Sequence, residues 1–183
     1  MGYISIIMVR NGVKSHDFCA IVSYNYLIEF MDNLNLSFTG EYNNSLDQKN
    51  RLSIPAKFRK ALDPINDRTF VVTRGFDKCL MLYPAIGWND VEIELSQLNS
   101  IKGRNRDFIR SIVRHASYVQ FDSQGRIAIP EKLLNFSKIK KDVSVIGMID
   151  KIEIWDQIEL ESKDAKHAND LDDYEDLANE INF

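Results

Sequence analysis

The strongest constraint on this chain is an eleven-residue pattern that occurs twice. Asp47-Gln-Lys-Asn-Arg51-Leu-Ser-Ile54-Pro55-Ala-Lys57 aligns with Asp122-Ser-Gln-Gly-Arg126-Ile-Ala-Ile129-Pro130-Glu-Lys132 at a constant offset of 75, with five of the eleven positions identical. Leu52 matches Ile127, Ser53 matches Ala128 and Asn50 matches Gly125, so most of the changes keep the character of the residue. Farther on, Asp77-Lys78 and Leu82-Tyr83 answer Asp150-Lys151 and Ile154-Trp155, with a one-residue shift between the two halves of that match. One supersecondary unit is therefore used twice, and the domain organisation follows from it.

Each copy can be read locally. Asp47 opens and Asn50 closes a four-residue stretch that suits a type I turn, with Asp at the first position and a left-handed residue at the last. Gly125 suits that closing position better still, because no Cβ opposes a positive φ. Tyr42 to Leu46 and Leu52 to Ile54 are expected to pair as a β-hairpin with the turn at its exposed tip. Pro55 and Pro130 end the strand and suit the first turn of a short helix, whose buried face Phe58 and Leu62 mark in the first copy. Two β-rich stretches follow in each copy, Thr69 to Thr73 with Cys79 to Tyr83, and Val143 to Ile146 with Lys151 to Trp155. Between the copies, residues 86–99 and 104–115 carry Val91, Leu95, Leu98, Phe108 and Ile112 at helical spacing, with Gly103 expected at the break. The organisation is an N-terminal appendage over 1–36, a first module over 38–86, a helical connector over 87–115, a second module over 116–159, and an acidic helical tail over 160–183.

Charge and cysteine usage narrow the function classes. The net charge of −4 is uneven: residues 161–183 hold eight Asp/Glu against two Lys, so the rest of the chain carries +2. Cys19 and Cys79 lie far apart with no metal-ligand spacing, which fits a reducing cytoplasm better than a disulfide framework. The apolar patches within residues 1–30 are broken by Arg10, Lys14, Asp17 and Glu29 well short of a membrane span, and they match a secretory signal poorly. Met31 stands just ahead of the organised part as an alternative start. No nucleotide loop, zinc-protease helix, nucleophile elbow or Cys-His cluster occurs, and His16, His115 and His167 lie in different segments, so no enzyme, cofactor or metal site is expected.

Several of these stretches together resemble the MraZ family, whose members carry tandem SpoVT-AbrB-type modules. They are Phe38-Thr-Gly40-Glu-Tyr, the duplicated Asp-x-x-x-Arg, Arg51-Leu-Ser-Ile-Pro55, Phe70-Val-Val-Thr-Arg-Gly75, Leu82-Tyr83-Pro84 and Ile154-Trp155-Asp156. The resemblance runs from about Phe38 to Glu159. It implies an α+β fold, a pseudo-twofold swapped-hairpin β-barrel of AbrB type with connector helices and a C-terminal helix. It also implies a ring-forming homo-oligomer, localised to the cytoplasm and the nucleoid, that regulates transcription by binding tandem repeats of double-stranded DNA upstream of the division and cell-wall gene cluster. No membrane partner and no small-molecule substrate are expected.

The chemistry of the turns agrees with a DNA-binding surface. Each turn places an arginine on an exposed tip, and arginine is the side chain suited to bidentate contact with guanine. Gln48, Lys49, Asn50 and Arg51 in the first turn, with Gln124 and Arg126 in the second, are the candidate DNA-contacting residues; Asp47, Asp122 and Gly125 are candidates for shaping the turns. The first turn is expected to dominate, since Ser123 and Gln124 replace Gln48 and Lys49 in the second, and a structural role is the alternative for Arg126. Lys102, Arg104, Arg106, Arg110 and Arg114 form a second basic run, more simply read as a solvated or oligomer-facing helix side. His115 reads as a packed or capping residue. An antitoxin or protein-interaction module, its acidic tail wrapping a partner, is the alternative function.

Overall fold

The computed structural model describes residues 37–167 together with Tyr174, Ala178 and Glu180. The appendage over 1–36 and most of the tail beyond His167 lie outside these described residues. Strand β1 (Phe38–Ser45) leads through the first turn to β2 (Arg51–Ser53) and helix α1 (Ala56–Ala61), and β3 (Thr69–Arg74) and β4 (Cys79–Pro84) follow. The connector is α2 (Ala85–Gln97) and α3 (Gly103–Val113). The second copy supplies β5 (Ser117–Gln120), β6 (Arg126–Ala128), α4 (Glu131–Ser137), β7 (Asp142–Ile149) and β8 (Lys151–Asp156), and α5 (Gln157–His167) comes last. Pro55, Pro84 and Pro130 stand immediately before α1, α2 and α4 with φ of −50°, −50° and −59°, a fixed dihedral that suits helix entry where no amide hydrogen is needed. Gly103 is not the break between the connector helices but the first residue of α3. The break lies ahead of it, where Leu98 turns extended and Arg106 donates back to the carbonyls of Ser100 (2.8 Å) and Ile101 (2.7 Å).

The fold is α+β, with six antiparallel strands in the order β1-β7-β8-β4-β3-β5 and a separate pair β2-β6. In terms of the repeat this order is palindromic: β8 and β4 meet at the centre, β7 and β3 flank them, and β1 and β5 form the edges. The expected pairing of each turn's own flanking strands is largely replaced. Within the first copy it reduces to one bridge, Leu46 to Leu52, while β1 runs along β7 of the second copy from Phe38↔Ile149 to Ser45↔Asp142. Likewise β5 of the second copy pairs with β3 of the first, and β2 pairs with β6 in the register Arg51↔Ala128, Leu52↔Ile127, Ser53↔Arg126. A strand of three residues closes too few hydrogen bonds to stand alone. Pairing with its own repeat equivalent completes it.

One core results, shared by both copies. Leu52, Ile54, Phe58, Phe70 and Leu82 from the first pack with Ile127, Leu133, Val143, Val145, Ile152 and Ile154 from the second, all fully buried or nearly so. Phe38 packs edge-on to Phe58, ring centroids 5.7 Å apart. Gly147 lets the β1 backbone lie close along β7: a Cβ there would stand 2.4 Å from the Phe38 carbonyl carbon. The opposite sheet face buries Cys79, Met81 and Trp155 beside Leu160 of α5.

Candidate nucleic-acid interface

The two turns are built alike, atom for atom. Oδ1 of Asp47 accepts from the backbone amides of Lys49 (2.8 Å) and Arg51 (3.0 Å), and Oδ1 of Asp122 accepts from those of Gln124 (2.9 Å) and Arg126 (3.0 Å). The Asp47 carbonyl accepts from the Asn50 amide (3.0 Å), and the Asp122 carbonyl from Gly125 (2.9 Å). Both closing residues are left-handed, Asn50 at φ 56° and Gly125 at φ 77°. This geometry explains the Asp and Asn/Gly positions of the pattern: a short carboxylate bonds the backbone two residues on, and the chain then reverses through a positive φ.

The arginines complete the arrangement. Oδ2 of Asp47 accepts from Nε (2.8 Å) and Nη2 (2.7 Å) of Arg51, and Oδ2 of Asp122 from Nε (3.0 Å) and Nη2 (2.7 Å) of Arg126. Across the pair, Nη1 of Arg51 lies 3.8 Å from Asp122 and Nη1 of Arg126 lies 3.7 Å from Asp47. Hydrogen bonds from the arginines, in first place, hold both carboxyls at about 2, below the usual carboxylate range. The backbone locks the turns together as well, since the Ile54 amide donates to the Gly125 carbonyl (2.9 Å) and the Ile129 amide to the Asn50 carbonyl (3.0 Å). Two segments 75 residues apart thus form one surface.

Each guanidinium keeps donors to spare. A guanidinium has five N–H groups; the aspartate takes one from Nε and one from Nη2, which leaves the outer Nη1–Nη2 edge available for a planar acceptor pair. The arginine side chains are 30% and 25% exposed. Such an edge, fixed in direction by its carboxylate, can meet guanine O6 and N7 without first losing side-chain freedom. Around this centre Gln48, Lys49 and Asn50 are exposed in the first turn, as are Ser123 and Gln124 in the second.

The structure brings two further arginines that the repeat did not point to. The Arg59 guanidinium lies over Gly125, where a Cβ would sit 2.6 Å from it, and Nε of Arg59 donates to the Ile54 carbonyl (3.0 Å). Arg68 donates through Nη2 to the carbonyls of Phe121 and Asp122, both at 2.8 Å. Both belong to the first copy yet serve the second turn. The second turn, which carries fewer basic residues of its own, is thus flanked by two arginines of the first copy. Nothing in the repeat marks Arg59, because its equivalent is the buried Leu134.

The connector's basic run does not assemble into one open stripe. Arg106 is bonded to the loop before α3, and Arg110 pairs with Asp107 at 2.7 Å. Arg114 donates to His115 at 2.9 Å. Among the described residues there is no group of three or more His, Cys, Asp or Glu side chains placed to hold a metal ion, and no helix is long and apolar enough to cross a membrane.

Comparison with known proteins matches this architecture. The family model of the MraZ protein, whose description adds antitoxin-like, matches twice, over residues 37–111 and 112–179. A protein named Transcriptional regulator MraZ from Pediococcus pentosaceus is 43% identical over 136 residues, 74% of this chain and 92% of the relative. Relatives of the same name from Natranaerobius thermophilus and Clostridium tetani are 39% and 37% identical over 144 residues, 79% of this chain and 96% of each relative.

Proposed function

The chain belongs to the MraZ family, a family of transcriptional regulators and not of enzymes, and from that premise we propose that it is a sequence-specific DNA-binding regulator whose reading surface is the paired turn face. The observation that carries this reading is the Asp47–Arg51–Asp122–Arg126 cluster: two part-exposed arginines stand side by side, each held by its own carboxylate at 2.7 Å and within 3.8 Å of the other's. Arg51 and Arg126 contact base edges; Lys49, Gln48, Asn50 and Gln124 contact phosphates and flanking bases, while Asp47, Asp122 and Gly125 shape the turns. The crossed pairing of β1 with β7 and β5 with β3 supports a swapped-hairpin barrel formed by the modules over 38–86 and 116–159.

The family resemblance implies tandem repeats in the promoter of the division and cell-wall gene cluster as the target, at the nucleoid, and a ring of identical subunits as the binding form. Apolar surface on the connector supports self-association. Helix α3 buries none of its side chains fully, and Phe108, Ile101 and Ile93 are 39%, 86% and 56% exposed. The occupant of that surface is a second copy of this chain, and light scattering that finds a monomer near 21 kDa at micromolar concentration contradicts it. A ring would engage several repeats at once, so affinity should rise steeply from one repeat to three.

Selection of bound fragments from random DNA, followed by binding of variants to the selected site, tests the reading. Arg51→Ala and Arg126→Ala should each cost about 1–3 kcal/mol per base contact, roughly 5- to 150-fold. Lys49→Ala should weaken all sequences alike and lower the salt slope by about one unit. Unchanged affinity in both folded arginine variants refutes the assignment of the reading face.

A further inference from the structure

At the end of β3 remote from the turns stand cationic side chains from several elements, none of them in an ion pair among the described residues. Arg74 closes β3, Lys78 lies in the loop to β4, Arg114 and His115 follow α3, and Lys132 lies in the first turn of α4. The Arg74 guanidinium stacks over the Phe136 ring, 3.8 Å from its centroid, and the Lys78 ammonium stands 4.8 Å from the same centroid. Nη1 of Arg74 is 3.2 Å from Nε2 of His115, and Nε of Arg114 donates to that same nitrogen at 2.9 Å. Two guanidinium donors on Nε2 require the neutral imidazole with its proton on Nδ1.

Among the described residues, none of Arg74, Lys78, Arg114, His115 and Lys132 forms an ion pair. The buried Nε of Arg74 has no hydrogen-bond partner there either. This is the reverse of the turn face, where each arginine has its own aspartate. The cost is visible on His115: burial first, then the charges of Arg74, Arg114 and Lys132, push its pKa below the ordinary histidine value. Stacking on Phe136 accounts for the place of Arg74 and Lys78. It does not account for Arg114, which donates to the same His115 nitrogen, or for Lys132, whose charge also reaches that ring.

The site is separate from the turns. Arg68, just before β3, bonds to Asp122, and the register Thr69↔Gln120 to Val72↔Ser117 carries Arg74 to His115 at the far end of the strand. Six residues of strand span about 20 Å. A phosphate held at the turns cannot also be held there.

We infer that Arg74, Arg114, His115 and Lys132, with Lys78 beside them, form a second oxyanion site that takes a phosphate or carboxylate group. An oxyanion seated between Arg114 and Lys132 removes the repulsion among these groups, and the Nδ1–H of His115 adds a neutral donor. Two sources could fill it. One is a free phosphate in solution. The other is this chain's own C-terminal segment, where Asp170, Asp172, Asp173, Glu175, Asp176 and Glu180 carry no intervening Lys or Arg. That segment follows α5, whose Lys163 contacts Asp77, the neighbour of Lys78 in the same loop. The inference does not rest on the DNA reading of the turns.

The test follows the imidazole resonances of the full-length chain by NMR as inorganic phosphate replaces chloride at constant ionic strength, with His16 and His167 as internal controls. A saturable shift confined to His115 supports the site with free phosphate as its source. Lys132→Gln and Arg114→Gln should each weaken it by at least about 5-fold, whereas Lys60→Gln on α1 should leave it unchanged. No shift in the natural chain, but a saturable His115 shift once Asp170, Asp172 and Asp173 are all changed to Asn, supports the site with the chain's own carboxylates as its source. If neither protein responds saturably, or if Lys132→Gln and Arg114→Gln bind phosphate as before, the inference is overturned.

Discussion

Leu52→Ala tests whether the two modules unfold as one. Leu52 has no exposed surface and pairs directly with Ile127, also without exposed surface, at the point where β2 meets β6. Truncating a fully buried leucine costs the transfer of a methine and two methyl groups plus the cavity left behind, about 3 kcal/mol within the usual 2–5. A folded unit of roughly 130 residues has an unfolding entropy near 0.27 kcal/mol/K. The midpoint should therefore fall by about 11 °C. Because Ile127 lines the same space, Ile127→Ala should give a similar drop, and the double variant should lose less than the sum of the two. Circular dichroism melts at one fixed protein concentration measure this, since self-association makes the midpoint concentration-dependent. One transition moved by either substitution is the expected result. Two transitions, each moved by only one of the variants, would refute the shared core.

Gly147→Ala should destabilise by about 3 kcal/mol, the upper end of overpacking costs, because the new methyl group meets the Phe38 backbone and not a movable side chain; a chemical-denaturation midpoint close to that of the natural chain contradicts this. Gly125→Ala should cost about 1–2 kcal/mol for a positive φ, with Arg59 swinging aside, whereas Gly125→Asn should cost less because Asn50 adopts the same conformation in the first turn. On acidification, the contribution of Asp47 and Asp122 is fully present above the unfolded carboxylate value near 4 and is lost as pH falls through about 2, since their folded pKa values are depressed. A melting-temperature profile should thus drop between about pH 4 and 2, and less steeply in an Asp47→Asn/Asp122→Asn variant; identical profiles would show that the carboxylates are not held by the arginines. Arg59→Ala should weaken DNA binding through the second turn, and an unchanged titration would remove Arg59 from the surface.

The chain's local order was legible in the sequence. The 75-residue offset, the Asp at the head of each turn, the left-handed closing residue and the prolines ahead of α1 and α4 follow from short-range geometry, where a residue's own φ, its side-chain reach and its missing amide decide the outcome. Which strand accepts which hydrogen bonds was not legible. Tyr42 to Leu46 can satisfy its backbone against Leu52 to Ile54 or against β7, and the sequence pattern is the same in both cases. Burial decides, because pairing β1 with β7 and β2 with β6 places Leu52, Ile127, Phe58 and Val145 in one core where separate hairpins would leave two small ones. The place of Arg59 and Arg68 was not legible either, since they reach Gly125 and Asp122 only through the crossed pairing. Repetition in sequence determined that there are two turns. Tertiary pairing alone made them one surface, since bringing Arg51 within 4 Å of Asp122 and Arg126 within 4 Å of Asp47 is a property of the folded core and not of either segment.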